Sequence, residues 1–238
     1  MEIKKYKLTE EIIKVDDSIL YRIEALRDFN GVKKGDKGGF VENENNLTQY
    51  GKCWVYDNAT VSGYAMVHNN ATVSGNAKVS GNAIIHEDAK IYGDAKVSGK
   101  AIVHDKAEIY DNAEVHGDAM VYENAKIYGN AKVSGNAVVC GDAEVCGKAE
   151  VCDNAEIRGN VIVANDSDYI VFKNWWSSGR YFTWTRSNDM WKVGCFYGTG
   201  KELIKKAYKD SKSSGEEYER IVRYVDSIKK KTAMIWNL

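Results

Sequence analysis

Proline is absent from the 238 residues of this chain, and other common signals are missing too. Because proline has no backbone N–H to donate, its absence suits a fold in which nearly every strand residue joins a hydrogen-bonded ladder. No run of eighteen apolar residues occurs, so we expect no membrane-spanning helix. The net charge of −1 gives the whole chain no electrostatic attraction to nucleic acid or to an anionic membrane.

Signals of location and of catalysis are also lacking. The opening segment Met1–Lys5 does not look like a signal peptide, so we expect a cytoplasmic protein. The chain shows no nucleophile–base pair, paired-carboxylate signature, dinucleotide-binding motif or credible zinc cluster. These absences favour a non-enzymatic role, with no metal and no cofactor.

What the chain does contain is a six-residue repeat, present nineteen times between Cys53 and Asp166. The third position is Val or Ile in all nineteen copies, the first is Ala in seventeen, and Gly, Asp, Asn or Glu always fills the fifth. The first and third side chains share one face of a short strand and point inward, while the last two residues form a corner. Three such strands close a triangular coil, so the pattern predicts a parallel β-helix of about six coils, with residues eighteen apart stacked.

This pattern, Val-x-Gly-Asn-Ala-x, resembles the hexapeptide repeat of left-handed β-helices, the fold of the hexapeptide acyltransferases and the γ-class carbonic anhydrases. The flanks Arg27-Asp28-Phe29, Gly38–Glu42 and Cys53–Ala59 resemble bacterial and phage hexapeptide-repeat proteins labelled acyltransferases or polymer-forming proteins. The resemblance implies a left-handed parallel β-helix in a bacterial or infected-host cytoplasm. For an acyltransferase it further implies a trimer, acetyl-CoA or another acyl donor between subunits, and a loop that breaks the repeat; here the repeat is unbroken.

The composition divides this mainly β chain into three parts: an N-terminal β cap (1–52), the β-helix (53–166) and a small C-terminal α+β domain (167–238). A cap is expected because the end of a β-helix would otherwise expose unpaired strands. In the cap, 20–26 reads as a strand and the glycines of 31–39 as turns. In the C-terminal domain we predict a strand (169–172), a hairpin (180–186 with 190–197) and two helices. Their N-terminal capping boxes would be Thr199 with Glu202 and Ser214 with Glu217.

Three of the five cysteines recur every six residues, at Cys140, Cys146 and Cys152. They look like a run of metal ligands, but each occupies the fourth position of its repeat. The three would therefore point outward on three different sides of one coil, where no single ion could reach them and no disulfide could form. We expect surface thiols in a reducing compartment.

One side of the β-helix differs from the other two, whose outward positions are largely polar. Its second positions are apolar and its fourth positions carry rings. We call the first set the apolar column and the second the ring ladder: the apolar column is Met66, Ile84, Ile102, Met120 and Val138, and the ring ladder is His68, His86, His104 and Tyr122. Soluble monomers rarely leave such a surface bare, so a second copy of the protein, another protein or the C-terminal domain should cover it.

The histidines of the ring ladder, His68, His86 and His104, allow three interpretations. They could simply pack within an interface. They could bind a metal, although three imidazoles in a line match tetrahedral zinc poorly. Alternatively, His86 or His104 could be the general base of an acyltransferase.

The aromatic residues of the C-terminal domain allow two interpretations. Trp175, Trp176, Arg180, Tyr181 and Trp184 could form a stacking platform for a sugar, nucleotide or peptide. They could equally be the core of a small domain.

The leading hypothesis is a non-enzymatic binding or scaffold protein that contacts a protein partner, or itself as a homo-oligomer, through the apolar column. The resemblance to phage proteins further implies a mobile-element protein that acts on a host protein through this side or the C-terminal domain. A trimeric acyltransferase and an oligomer that sequesters a small molecule are the alternatives.

Overall fold

The computed structural model describes residues 4–236, with side chains as far as Lys231. The chain forms two compact units, and the boundary along the sequence falls between Asp168 and Tyr169. Met1–Ile3, which contribute to the signal-peptide argument, lie outside the described residues. No helix in the described part of the chain combines the length and the apolar character needed to cross a membrane.

The first unit begins with three longer strands, β1 (Tyr6–Val15), β2 (Ser18–Ala25) and β3 (Lys37–Val41), followed by a short 3-10 helix, Glu44–Asn46. The strands β1 and β2 form an antiparallel hairpin, and β2 continues antiparallel onto β3. The hairpin therefore covers the hydrogen-bonding edge of the sheet that β3 begins, as expected of a cap.

The solenoid strands follow at six-residue intervals. They are β4 (Trp54–Val55), β5 (Thr60–Val61), β6 (Met66–Val67), β7 (Thr72–Val73), β8 (Lys78–Val79), β9 (Ile84–Ile85), β10 (Lys90–Ile91), β11 (Lys96–Val97), β12 (Ile102–Val103), β13 (Glu108–Ile109), β14 (Glu114–Val115), β15 (Met120–Val121), β16 (Lys126–Ile127), β17 (Lys132–Val133), β18 (Val138–Cys140), β19 (Glu144–Val145), β20 (Glu150–Val151), β21 (Glu156–Arg158) and β22 (Ile162–Val163).

These strands stack in three parallel sheets, one for each side of the triangle, and every pairing joins residues eighteen apart, as the sequence predicts. The inward positions are buried: Ala101 and Val103, for example, have no exposed surface. At the corners the chain takes the left-handed conformation, as at Gly99 (φ 70°). A Cβ atom there would lie 2.7 Å from the backbone nitrogen of Gly117, which favours glycine at this corner.

The solenoid has seven coils rather than about six, because two further rungs precede the nineteen hexads of the regular repeat. Phe40 in β3 pairs in parallel with Thr60, and Leu47 forms a parallel bridge with Val67. The expectation that Gly38 and Gly39 mark a turn is wrong. Both lie in β3, where a Cβ atom at either position would approach a backbone carbonyl oxygen of the next coil to 2.5 Å.

The first coil also satisfies the carbonyl groups that would otherwise end the ladder unpaired. In the regular coils, each first-position carbonyl accepts a backbone N–H from the preceding coil. At the start of the solenoid these donors are partly side chains. Cys53 O accepts from Lys5 Nζ, Ala59 O from the N–H of Phe40, and Ala65 O from Asn46 Nδ2, each at 2.9 Å.

The second unit contains a four-stranded antiparallel sheet and two helices. Its elements are β23 (Tyr169–Lys173), β24 (Tyr181–Thr185), β25 (Met190–Val193), β26 (Phe196–Thr199), α1 (Gly200–Asp210) and α2 (Lys212–Trp236). Phe182, Trp184 and Trp191 of the sheet form one core with Leu203 of α1 and Val222 of α2. The first predicted strand is confirmed, and α1 begins with the predicted capping box of Thr199 and Glu202.

Two predicted boundaries in this unit are wrong. The strand expected at 190–197 is two strands, because the chain turns at Gly194 (φ 53°). The second helix does not begin at Ser214: the N–H of Ser214 donates to Ser211 Oγ (3.0 Å), and Gly215 lies inside α2. A Cβ atom at Gly215 would lie 2.3 Å from the Tyr208 ring, so this glycine allows close packing of α2 on α1.

Candidate functional site

The apolar column lies on the sheet formed by β6, β9, β12, β15, β18 and β21, in the predicted register. Met66 and Met120 are 42% and 37% exposed. Ile84, Ile102 and Val138 are half-buried. The column ends where Glu156 pairs with Val138. An outward apolar surface is thus present along four successive steps of the solenoid.

Two exposed tyrosines, which the sequence analysis missed, extend this surface near its first rung. Tyr64 is 82% exposed and lines an open groove together with Met66 and Ile84. Tyr50 is 66% exposed and lines a second groove together with Met66 and His68. Tyr64 occupies a sixth position that usually holds Asn or Asp, which is the signal in the sequence that could have revealed it.

The ring ladder forms beside the apolar column as a stack of nearly parallel rings. The ring centroids of His68 and His86 are 5.1 Å apart, those of His86 and His104 are 5.0 Å apart, and Tyr122 follows at 5.0 Å. The spacing follows that of neighbouring parallel strands. A similar stack on another side joins Tyr92, Tyr110 and Tyr128.

Burial lowers the pKa of His86 below its ordinary value of 6.5, and the neighbouring His104 and His68 lower it further. Glu87 and Asp105 oppose this shift. Stacked imidazoles cannot all carry a proton at low cost, since like charges at this distance repel. The lowered pKa favours the neutral form of His86 near pH 7, which is the form that can accept a proton or bind a metal.

Beyond the ring ladder, the fifth positions of three successive coils carry carboxylates. We call Glu87, Asp105 and Glu123 the acidic corner; all three have left-handed backbones, with φ of 58°, 57° and 60°. Glu87 Oε2 accepts the N–H of Asp105, and Asp105 Oδ2 accepts the N–H of Glu123, both at 3.1 Å. This second hydrogen bond is the main cause of the lowered pKa of Asp105. The carboxylates of Glu87 and Asp105 therefore help to hold Asp105 and Glu123 at corners that favour glycine.

The acidic corner borders an open groove of about 610 Å³. Its ionisable lining consists of four carboxylates and one ammonium group: Glu87, Asp88, Asp105, Glu123 and Lys106. His104 Nδ1 points toward this side, 3.2 Å from Asp105 Oδ2. The sequence analysis did not single out the acidic corner, although acids at 87, 105 and 123 follow the eighteen-residue period that defines the columns.

The three cysteines at fourth positions lie on three different sides, as predicted, on β18 and after β19 and β20. The expectation that all are surface thiols is wrong for Cys140, which is 2% exposed. It lies in the column of the ring ladder, paired with Arg158 in the next coil. Its hydrogen bond with Tyr122 adds to burial, the larger cause, in raising the pKa of that tyrosine.

The residues proposed as a ligand platform in the C-terminal domain differ in exposure. Trp184 is buried in the core, where its Nε1 donates to Asp189 Oδ1 (2.8 Å). Trp176 packs edge-on against the ring of Phe182. Trp175 is 76% exposed, and Arg180 and Tyr181 are exposed.

Comparison with known proteins finds similarity in the solenoid. Residues 55–69 and 125–141 match the family described as the YdcK β-solenoid repeat. A protein of Escherichia coli (strain K12) named "Uncharacterized acetyltransferase YdcK" is 36% identical over an alignment of 83 residues, which covers 31% of this chain and 26% of that protein. The match spans about a quarter of the relative's length. The resemblance to hexapeptide-repeat proteins is thereby confirmed for the repeat and its β-solenoid fold.

Proposed function

We propose that this protein is a non-enzymatic scaffold that assembles with a second copy of itself through the apolar column. The observation that carries the proposal is the outward exposure of Met66 and Met120 in a continuous apolar row. Surfaces of this kind on soluble proteins usually mark an interaction site.

The order of side chains in the column supports self-association. Its first four rungs read Met66, Ile84, Ile102 and Met120, which is the same in both directions. A two-fold axis between the isoleucines would place each methionine opposite the other methionine of the second copy, and each isoleucine opposite the other isoleucine. Such a self-complementary contact is the usual basis of a homodimer. A second solenoid also has the matching spacing between rungs, which a partner without a β-sheet would lack.

The test is the mass in solution of the full chain by light scattering, with Ile84→Asp/Ile102→Asp as the disrupting variant. Both side chains point outward, so the solenoid should stay folded and its circular dichroism unchanged. The dissociation constant of the dimer should rise at least about 100-fold, since an unpaired buried charge costs several kcal/mol.

The matched control is Ser80→Asp/Ser98→Asp. These residues are also eighteen apart and half-buried, and they follow β8 and β11 on a polar side. This variant adds the same two charges and should remain a dimer. A wild type that stays monomeric up to millimolar concentration would refute self-association, and loss of the dimer in the control would show that another side forms the contact.

A trimeric acyltransferase is the second candidate, and the name of the Escherichia coli relative favours it. The neutral form of His86 would suit a general base in such an enzyme. A wild-type trimer that binds acetyl-CoA in calorimetry, and loses catalysis of acyl transfer in His86→Gln, would support this candidate over the scaffold. A dimer without acetyl-CoA binding would support the scaffold.

A further inference from the structure

We propose that Glu87, His104 and Asp105 form a binding site for one divalent transition-metal ion where the ring ladder meets the acidic corner. The proposal is independent of self-association, because it rests on contacts within one chain. It also departs from the expectation of no metal, which considered the histidines alone and not the carboxylates beside them.

The geometry of the three side chains fits a metal ion. His104 Nδ1 lies 3.2 Å from Asp105 Oδ2 and 3.9 Å from Glu87 Oε2, and the three ligand atoms all lie within 4.8 Å of one another. Ligands bound at about 2.1 Å from a tetrahedral zinc ion are roughly 3.4 Å apart. Small side-chain rotations would therefore bring all three atoms to one ion. Among the residues that the structure describes, this is the one such group of three.

The fold holds the ligands near these positions. The His104 ring is stacked between His86 and Tyr122, with centroids 5.0 Å away on each side. Glu87 Oε2 and Asp105 Oδ2 each accept a backbone N–H from the next corner. A carboxylate oxygen has a further lone pair, so each can bind a cation while keeping that hydrogen bond.

The location singles out His104 among the four histidines of the chain. Its own corner residue is Asp105, and the corner residue of the preceding coil is Glu87. His86 has Glu87 but Asn69 in the preceding coil, and His116 lies between Gly117 and Gly99. His104 is therefore the one histidine with a carboxylate at both neighbouring corners.

The surroundings suit a cation with open coordination positions. The site borders the groove of about 610 Å³ whose lining is mainly acidic, so water can complete the coordination. One imidazole and two carboxylates are ligands for Zn²⁺, Mn²⁺, Co²⁺ or Ni²⁺, whereas Ca²⁺ and Mg²⁺ prefer oxygen ligands alone.

The test is a titration of chelator-treated full-length protein with Zn²⁺. Calorimetry measures the affinity and the number of bound ions, and NMR records the signals of the four imidazole rings. We expect one Zn²⁺ per chain and a shift of the His104 signals, with those of His116 unchanged. Asp105→Asn and His104→Gln should each weaken Zn²⁺ binding at least about tenfold, since even the mutation of residues that only hydrogen-bond to metal ligands lowers metal affinity by about this factor.

The matched control is Asp111→Asn. Asp111 occupies the same corner position on another side and accepts a backbone N–H in the same way, but Tyr110 replaces the histidine beside it. This variant should bind Zn²⁺ as the wild type does. Unchanged affinity in Asp105→Asn, shifts at His68 or His116 in place of His104, or no binding at millimolar Zn²⁺ would each overturn the proposal. An asparagine oxygen can still accept the N–H of Glu123, so Asp105→Asn should fold, and its melting temperature without metal checks this.

Discussion

Single side chains complete the first coil of the solenoid by taking the place of a missing strand. Asn46 has no exposed surface, and its Nδ2 donates to Gly63 O (3.0 Å) and Ala65 O (2.9 Å). Lys5, also fully buried, donates to Cys53 O and to Cys53 Sγ. Burial lowers the pKa of Lys5, and the neighbouring Cys53 opposes that shift. These side chains supply the hydrogen-bond donors that the carbonyl groups require, since a buried carbonyl without a donor is destabilising.

Replacing Asn46 by leucine should therefore destabilise the first unit. The change keeps the volume but removes the donor of the buried Ala65 carbonyl and of the partly buried Gly63 carbonyl, which costs about 1–3 kcal/mol for a group left buried and unsatisfied. Urea unfolding measures the free energy. Asn45→Ala is the control, because Asn45 is exposed and a surface change of this kind should stay within about 0.5 kcal/mol. Equal stability of Asn46→Leu and the wild type would show that the hydrogen bonds of Asn46 do not stabilise the first unit.

At this scale the sequence predicts the inward residues well and the exceptions poorly. Alanine at first positions and Val or Ile at third positions are buried because the two-residue alternation of a strand leaves no other arrangement. Lys5 was missed because its partner, Cys53, is far away in the chain. The burial of Cys140 was missed because it depends on how the large neighbours Tyr122 and Arg158 fill the column around it.

Among the elements, the ring ladder should make stability depend on pH. Because the pKa of His86 is lowered on folding, the folded state binds fewer protons than the unfolded state between that lowered value and 6.5. The free energy of unfolding should therefore fall as the pH decreases from about 6.5 through this window. His68 and His104 strengthen the effect, and the carboxylates of Glu87 and Asp105 weaken it.

His86→Gln should reduce this decline, because glutamine does not titrate. Urea unfolding at pH 7.5, 6.5 and 5.5 compares the variant with the wild type. His116→Gln is the control, since His116 lies on another side of the solenoid and outside the ladder. If the slope of stability against pH in His86→Gln equals that of the wild type, the imidazole stack does not affect stability in this range.

The helices show why some boundaries could not be predicted. The capping box of α1 follows from local residue types, Thr199 and Glu202, and it was predicted correctly. The start of α2 was not, because Ser213, Ser214 and Gly215 look like a break between helices. Gly215 is instead needed for contact with Tyr208. Tertiary packing overrides a local signal here.

On the scale of the whole molecule, the eighteen-residue period determines which side chains share a side of the solenoid. The inward residues are alike in type in nearly all hexads, with Ala at the first position and Val or Ile at the third, so their type does not distinguish one side from another. The outward residues do: Met66, Ile84 and Ile102 are aligned because whole coils separate them. This is why the sequence could predict the apolar column and the ring ladder, while the acidic corner required attention to the turn residues as well.

Two deletions test this arrangement. Removing 95–112 takes out one whole coil, after which Met120 would stack on Ile84 and the apolar column would stay continuous. Removing 95–100 takes out one strand and its corner, after which Glu108 would stack on Ile84 and Ile102 on Lys78. Both deletions keep the order of Ala and Val or Ile that fills the core, so both should fold, with similar β-sheet circular dichroism and cooperative unfolding.

The two variants should nevertheless differ in assembly. Light scattering should find a dimer for the deletion of 95–112 and a monomer for the deletion of 95–100, because only the second splits the apolar column between two sides. If the deletion of 95–100 unfolds while the deletion of 95–112 does not, the hexads are not interchangeable between sides, and the outward columns contribute to folding itself. If both fold and both remain dimers, the contact between copies lies outside the apolar column, since its continuity is the feature that the shorter deletion removes.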